Sequence, residues 1–149
     1  MKPLIFIHTI SAILFIGNIM TAAFWKMKAE FTKDETHVHR TVKNIMLADY
    51  IFTIPSTIGL LGSGFLLAFQ SNYSLQEINW LTVSIGLFIL TGVIWLSLLL
   101  PLQRKMMKYS GTPFNDKKYW KISRTWDVIG TISVLLPVNI LYLMIAKPF

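Results

Sequence analysis

The chain contains no cysteine and little charge, and both shortages narrow what it can be. Without cysteine there is no disulfide scaffold, no thiolate metal centre and no cysteine nucleophile. Charged residues fill 14% of 149 positions, against roughly 25% in an average soluble domain. Acid is scarcer than base: 7 Asp and Glu stand against 14 Lys and Arg, a formal net charge of +7. Phosphate-cradling glycine loops, H-E-x-x-H zinc motifs and hydrolase triads are missing too. What is present is apolar, with 54% hydrophobic residues and a mean hydropathy of +0.55. Lipid, not water, is the expected solvent.

A bilayer core about 30 Å thick takes ~20 apolar residues in a helix. Four runs qualify: residues 3–25, 44–69, 78–102 and 126–146. Lipid satisfies no backbone N–H or C=O, so each must be helical. The expected fold is all-α, a polytopic bundle of four transmembrane helices in a single integral membrane domain, residues 1–149. Thr21-Ala22-Ala23 would serve as a signal-peptide cleavage site. However, the first run outlasts an h-region of roughly 7–15 residues, which favours a retained helix.

The bases fall between the runs. Segment 26–43 holds Lys26, Lys28, Lys33, Arg40 and Lys43. Segment 103–125 holds Arg104, Lys105, Lys108, Lys117, Lys118, Lys121 and Arg124. Segment 70–77 has none, and only Lys2 and Lys147 lie elsewhere. The positive-inside rule makes the two basic loops cytoplasmic and sets both termini outside. Bases gathered on one membrane face suit anionic headgroups, not nucleic acid. Trp25, Trp80, Trp120 and Trp126 fall near run ends, where indoles favour headgroups, whereas Trp95 is expected between helices. Gly59, Gly62 and Gly64 permit close helix approach, and Pro55 and Pro137 are expected to kink their helices.

A local pattern repeats. Lys43, Asp49, Ile51, Thr53 and Ile54 recur as Lys121, Asp127, Ile129, Thr131 and Ile132, and the same offset takes Lys26 to Arg104. This fits two parallel helix-pair repeats with Asp49 and Asp127 at equal depth near the cytoplasmic face.

Ionisable residues within spans are functional candidates by default. His8 suits a haem b ligand, with Met144 the best second ligand by depth; it also suits a histidine hydrogen-bonded across helices or set in interfacial water. Five-coordinate iron, or haem shared between protomers, fits as well. Asp49 is expected to pair with Lys43, Arg40 or a base of segment 103–125, or else to form a proton or cation site with Asn18. Asp127 reads as an N-terminal helix charge facing the macrodipole. His37 and His39 lack a third ligand at helical spacing, so no separate metal site is expected.

Two functions of different class follow. One is a b-type haem protein in redox or haem-related chemistry. The other is a non-enzymatic membrane subunit or small carrier in which Asp49 and His8 serve packing or proton handling. The apolar outer faces must meet lipid or another copy, so a homodimer is one expected assembly.

Several residues resemble a bacterial family of predicted integral membrane proteins, DUF2269. They are His8, Gly17, Trp25-Lys26, Ala48-Asp49, Pro55, Gln103, Met106 and the ending Leu143-Met144-Ile145-Ala146-Lys147-Pro148. The resemblance runs the length of the chain and implies a four-helix fold in the bacterial inner membrane, with no activity attached. More distantly, the chain is similar to HemJ-type protoporphyrinogen oxidases, whose start resembles His8, Phe15 and Gly17, and to the membrane domain of CopD copper proteins. HemJ-type proteins also carry bases in or beside their spans; no span here contains Lys or Arg, which separates haem ligation from oxidase activity.

Overall fold

The computed structural model describes all 149 residues as four long helices: α1 (Lys2–Phe31), α2 (Glu35–Gln70), α3 (Trp80–Tyr109) and α4 (Asp116–Ala146). Each is long and apolar enough to cross a membrane. The helices outrun the apolar spans. At about 1.5 Å per residue, the 36 residues of α2 extend about 54 Å, well beyond a 30 Å hydrocarbon core. The segments 26–43 and 103–125, expected as loops, are therefore mostly helix; only residues 32–34 and 110–115 there are non-helical. Hydrophobicity marked where lipid ends, while the basic residues beyond it still form helix.

Local chemistry fixes the breaks. The Asp34 side chain accepts the Thr36 and His37 amides at the head of α2. Asn79 and Thr82 form a capping box on α3, and Asn115 caps α4. Each satisfies amides that lack a partner in the first turn.

Two π-turns interrupt the α-helical pattern, at Asp49–Thr53 in α2 and Trp95–Leu99 in α3. Each ends two residues before a proline, Pro55 or Pro101. Proline has no N–H and its ring crowds the carbonyl four residues back. The chain widens one turn, so Ile54 N–H reaches the Asp49 carbonyl and Leu100 N–H that of Trp95. Pro137 leaves α4 unbroken, so one proline in a span does not by itself make a π-turn.

α1 packs along α2 and α3 along α4; α1–α4 contacts, with α2–α3 contacts toward the basic end, close the bundle. The best-buried apolar group lies at that end: Ala29, Val38, Val42, Leu99, Met106, Tyr119 and Trp126. Most of it is beyond the spans, where water still drives burial, at about 1.5–3 kcal/mol per large side chain. Trp126, expected among headgroups, is in this core, and Trp80 is in a second cluster with Ala68, Leu81 and Leu143. Within the spans large apolar side chains face outward, and buried positions are often Ser or Thr. Lipid removes the hydrophobic drive between helices, so small residues allowing close approach carry the packing. A Cβ at Gly59 would collide with the Ser11 hydroxyl, and one at Gly64 would press on the His8 ring; Gly62 faces open space.

Candidate functional site

The π-turn in α2 aims Asp49 and Thr53 into the bundle. Asp49 is 5% exposed. Its Oδ1 accepts Asn18 Nδ2 from α1 at 3.1 Å and Thr53 Oγ1 at 2.9 Å, and its Oδ2 accepts Gln103 Nε2 from α3 at 2.8 Å. Asn18 also donates to Thr53 Oγ1 at 2.9 Å. Three helices thus converge on one carboxylate, and every donor is neutral. The expected ion pair of Asp49 with Lys43, Arg40 or a later base is not formed: the ion pairs of the chain are those of Lys26 with Glu30 and Asp127. Lys43, Arg40 and Arg104 are exposed, on helical extensions whose outer faces meet water.

Space lies on both sides of this cluster. A cavity of about 670 Å³ runs between all four helices, its apolar walls including Phe15, Phe88, Trp95 and Leu99 and its polar end Asp49, Thr53, Gln103 and Asp127. A groove of about 370 Å³ between α1 and α2 is lined by Asn18, Thr21, Thr41 and Asn44 among others. Asn18 faces the groove and Asp49 the cavity, and the two side chains are hydrogen-bonded.

A second polar group closes α1 onto α4. Lys26 is 2% exposed, and its Nζ lies 2.8 Å from both Glu30 and Asp127. It also donates to Ser123 Oγ at 2.7 Å and sits 5.0 Å from the centre of the Trp126 ring. Tyr119 Oη and Ser123 Oγ donate to Glu30 at 2.9 and 2.6 Å. Asp127 is therefore not an N-terminal helix charge. α4 starts at Asp116, which supplies the first-turn acid, and Asp127 lies about three turns inside, partnered by Lys26. In the sequence Lys26 was legible as a topological base, a member of the repeat and part of the family resemblance, but not as a buried ion-pair centre. Its four-residue spacing to Glu30 was the available hint, but helical spacing cannot show that α4 covers the pair.

His8 is half-buried against α2, its Nδ1 3.0 Å from Ser63 Oγ. Ser63 gives its own proton to the Gly59 carbonyl. Its oxygen is then open as an acceptor, an arrangement that fits the His8 tautomer protonated at Nδ1. Met144 packs with the cluster of Ala68, Trp80, Leu81 and Leu143. The two residues belong to different side-chain groups, and neither lines the interhelical cavity. Phe15 is buried and packs at a tilt against Phe88, ring centres 5.8 Å apart, while a Cβ at Gly17 would meet open space. His39 bonds Ser110 at 2.8 Å and His37 is exposed. No three His, Asp or Glu side chains gather as a metal site.

The sequence pattern of the DUF2269 family, described as a predicted integral membrane protein, matches residues 3–148. The chain belongs to that family. It is accordingly an integral membrane protein, and four helices fit the description. No curated protein and no solved structure matches it, which leaves the similarity to HemJ-type proteins resting on His8, Phe15 and Gly17.

Within this family member, Gln103 is the site residue whose role the sequence did not disclose. It was named only for the family resemblance, and the packing of α3 on α2 shows that it holds the Asp49 carboxylate. Chemically, the arrangement offers an uncompensated carboxylate that accepts a proton or a cation, beside a space large enough for a small molecule.

Proposed function

We propose that this membrane protein is a small carrier, or a carrier subunit, that handles a proton at Asp49. The observation that carries the reading is a buried carboxylate held by three neutral donors and set between a groove and an interhelical cavity. A carboxylate paired with a base is held in its charged form more firmly than one held by neutral amides and a hydroxyl, and on protonation the Gln103 amide can turn over to accept the new O–H. The groups facing Asp49 are Asn18 from α1, Gln103 from α3 and Thr53 on its own helix. From α4, Asp127 shares the cavity lining. The basic end supplies the orientation, toward the cytoplasm and its anionic headgroups.

The test is proton uptake. Purified protein in liposomes with an internal pH dye is given a potassium-diffusion potential, and infrared difference spectra follow the Asp49 carboxyl as pH is stepped. A carboxyl band that titrates and is absent in Asp49→Asn, with proton flux lost in the same variant, supports the reading. Flux and spectra unchanged by Asp49→Asn reject it.

A second reading, b-type haem in the bacterial inner membrane, is favoured by one observation: the Ser63 oxygen is open to a proton on His8 Nδ1, the tautomer that leaves Nε2 with the lone pair a metal takes. Met144 would be the second ligand. A Soret band in protein expressed with ample haem, lost in His8→Ala, supports this reading, and a colourless sample rejects it.

A further inference from the structure

The interhelical cavity carries more information than a proton site needs. We infer that it binds a lipophilic amine, held as its cation by Asp49 and Gln103; this rests on the reading of Asp49 as the exchange site and names the molecule exchanged.

Three observations converge. The first is unfilled hydrogen-bonding capacity. A carboxylate offers about four acceptor positions, and Asp49 uses three. Gln103 is 3% exposed and its Oε1 has no partner. That atom is fixed as the oxygen because its amide nitrogen is committed to the carboxylate. The amide that touches the carboxylate also carries the free oxygen, so an Asp49 oxygen and Gln103 Oε1 are neighbouring acceptors on two residues that line the cavity. Trp126, 7% exposed and on the same cavity wall, has an N–H without an acceptor. Buried polar atoms are rarely left unpaired without a reason.

The second observation is charge. Lys26 is the only base in contact with an acid in the bundle, and it already faces both Glu30 and Asp127. Asp49 has no cation at all. The polar end of the cavity thus holds more acid than base, and an anionic head would meet two carboxylates there. A neutral hydroxyl brings a single donor, whereas an ammonium brings three and a positive charge.

The third is the wall. Phe15, Phe88, Trp95 and Trp126 line the cavity together with aliphatic side chains, a surface suited to an apolar body and to a cation near aromatic faces. A space of about 670 Å³ lies within the range of small-molecule sites. Protonation of Asp49 would remove the charge that holds the amine, which makes proton and amine alternative occupants of one carboxylate.

The experiment uses tryptamine, tryptophol and indoleacetate, which share one ring system and carry ammonium, hydroxyl and carboxylate heads. Full-length protein in detergent micelles is titrated calorimetrically with each, and protein-free micelles correct for partitioning. The expected result is tryptamine binding about tenfold tighter than tryptophol, about 1.4 kcal/mol, with no indoleacetate binding. In Asp49→Asn the preference should fall below about twofold while tryptophol binding is kept. Gln103→Leu, which leaves the carboxylate in place, should weaken tryptamine about threefold to tenfold. Equal binding of tryptamine and tryptophol by the wild-type chain, or a preference that persists in both variants, overturns the inference. Infrared titration of Asp49 separates the two levels. A titrating carboxyl without amine preference rejects the amine alone, and a carboxyl that does not titrate rejects the proton reading beneath it.

Discussion

Asp49 and Asp127 stand at matching places in a repeated local pattern, yet the fold surrounds them in opposite ways. Asp127 meets a buried lysine, and Lys26, Glu30, Ser123 and Tyr119 complete a group in which each charge has a charged partner. Asp49 meets two amides and a hydroxyl. By the repeat, Arg104 would pair with Asp49 as Lys26 pairs with Asp127. Instead Gln103, one residue earlier, turns inward and Arg104 is exposed. The π-turn preceding Pro55 has no counterpart at Asp127, where α4 is regular. One helix pair thus carries an ion pair that fastens α1 to α4, and the other carries a charge left open beside a cavity. A cluster in which every carboxylate touches a base serves the fold; a carboxylate that no base touches is available for chemistry.

That contrast sets out an order of effects. The largest is expected for Lys26→Met. Removing one partner of a buried pair leaves the other uncompensated, and about 3 kcal/mol of stability should be lost. Most of this should come from Glu30, because the Asp127 side chain is 51% exposed. Thermal unfolding in detergent measures the loss, and a shift equivalent to under about 1 kcal/mol would erase the distinction between the clusters.

Gln103→Leu should cost about 1–2 kcal/mol through the lost bond to a buried carboxylate, offset partly by removal of the unpaired Oε1. Tyr119→Phe takes one hydrogen bond from Glu30 and should cost about 1 kcal/mol, with no effect on proton uptake. Tyr119→Phe abolishing uptake would mean that the ion-paired group also conducts. The smallest change in stability is expected for Asp49→Asn, within about 1 kcal/mol. Asn18 and Thr53 still find an acceptor, and the Gln103 amide turns over to offer its oxygen to the new NH₂ group. Circular dichroism and melting should be close to wild type while proton uptake is lost. A large destabilisation would class Asp49 with Lys26 as a fastening residue.

Much of the fold was legible because lipid imposes simple rules. Four runs of sufficient length, none able to leave its backbone unpaired, required four helices, and these are the helices observed. Helix ends were less legible: beyond the spans the basic segments lose their apolar signal but keep helical geometry, so α1 and α2 are joined across residues 32–34 and not by the long loop expected. The polar residues were visible individually, since Asp49 and Asn18 are conspicuous in apolar surroundings. Their partners were not, because Gln103 and Lys26 sit at span ends where polar side chains are ordinary.

The shortage of charge noted first is thus the part of the sequence with the most to say. Sequence alone determined that the chain crosses lipid as helices, because backbone satisfaction in hydrocarbon is a local requirement met within each segment. It also determined that few ionisable groups lie inside. Which of them are neutralised was decided by tertiary structure, since pairing depends on how helices distant in sequence turn toward one another. The packing of the four helices brings Gln103 to Asp49 and Lys26 to Asp127, and leaves a cavity beside the carboxylate that no base reaches.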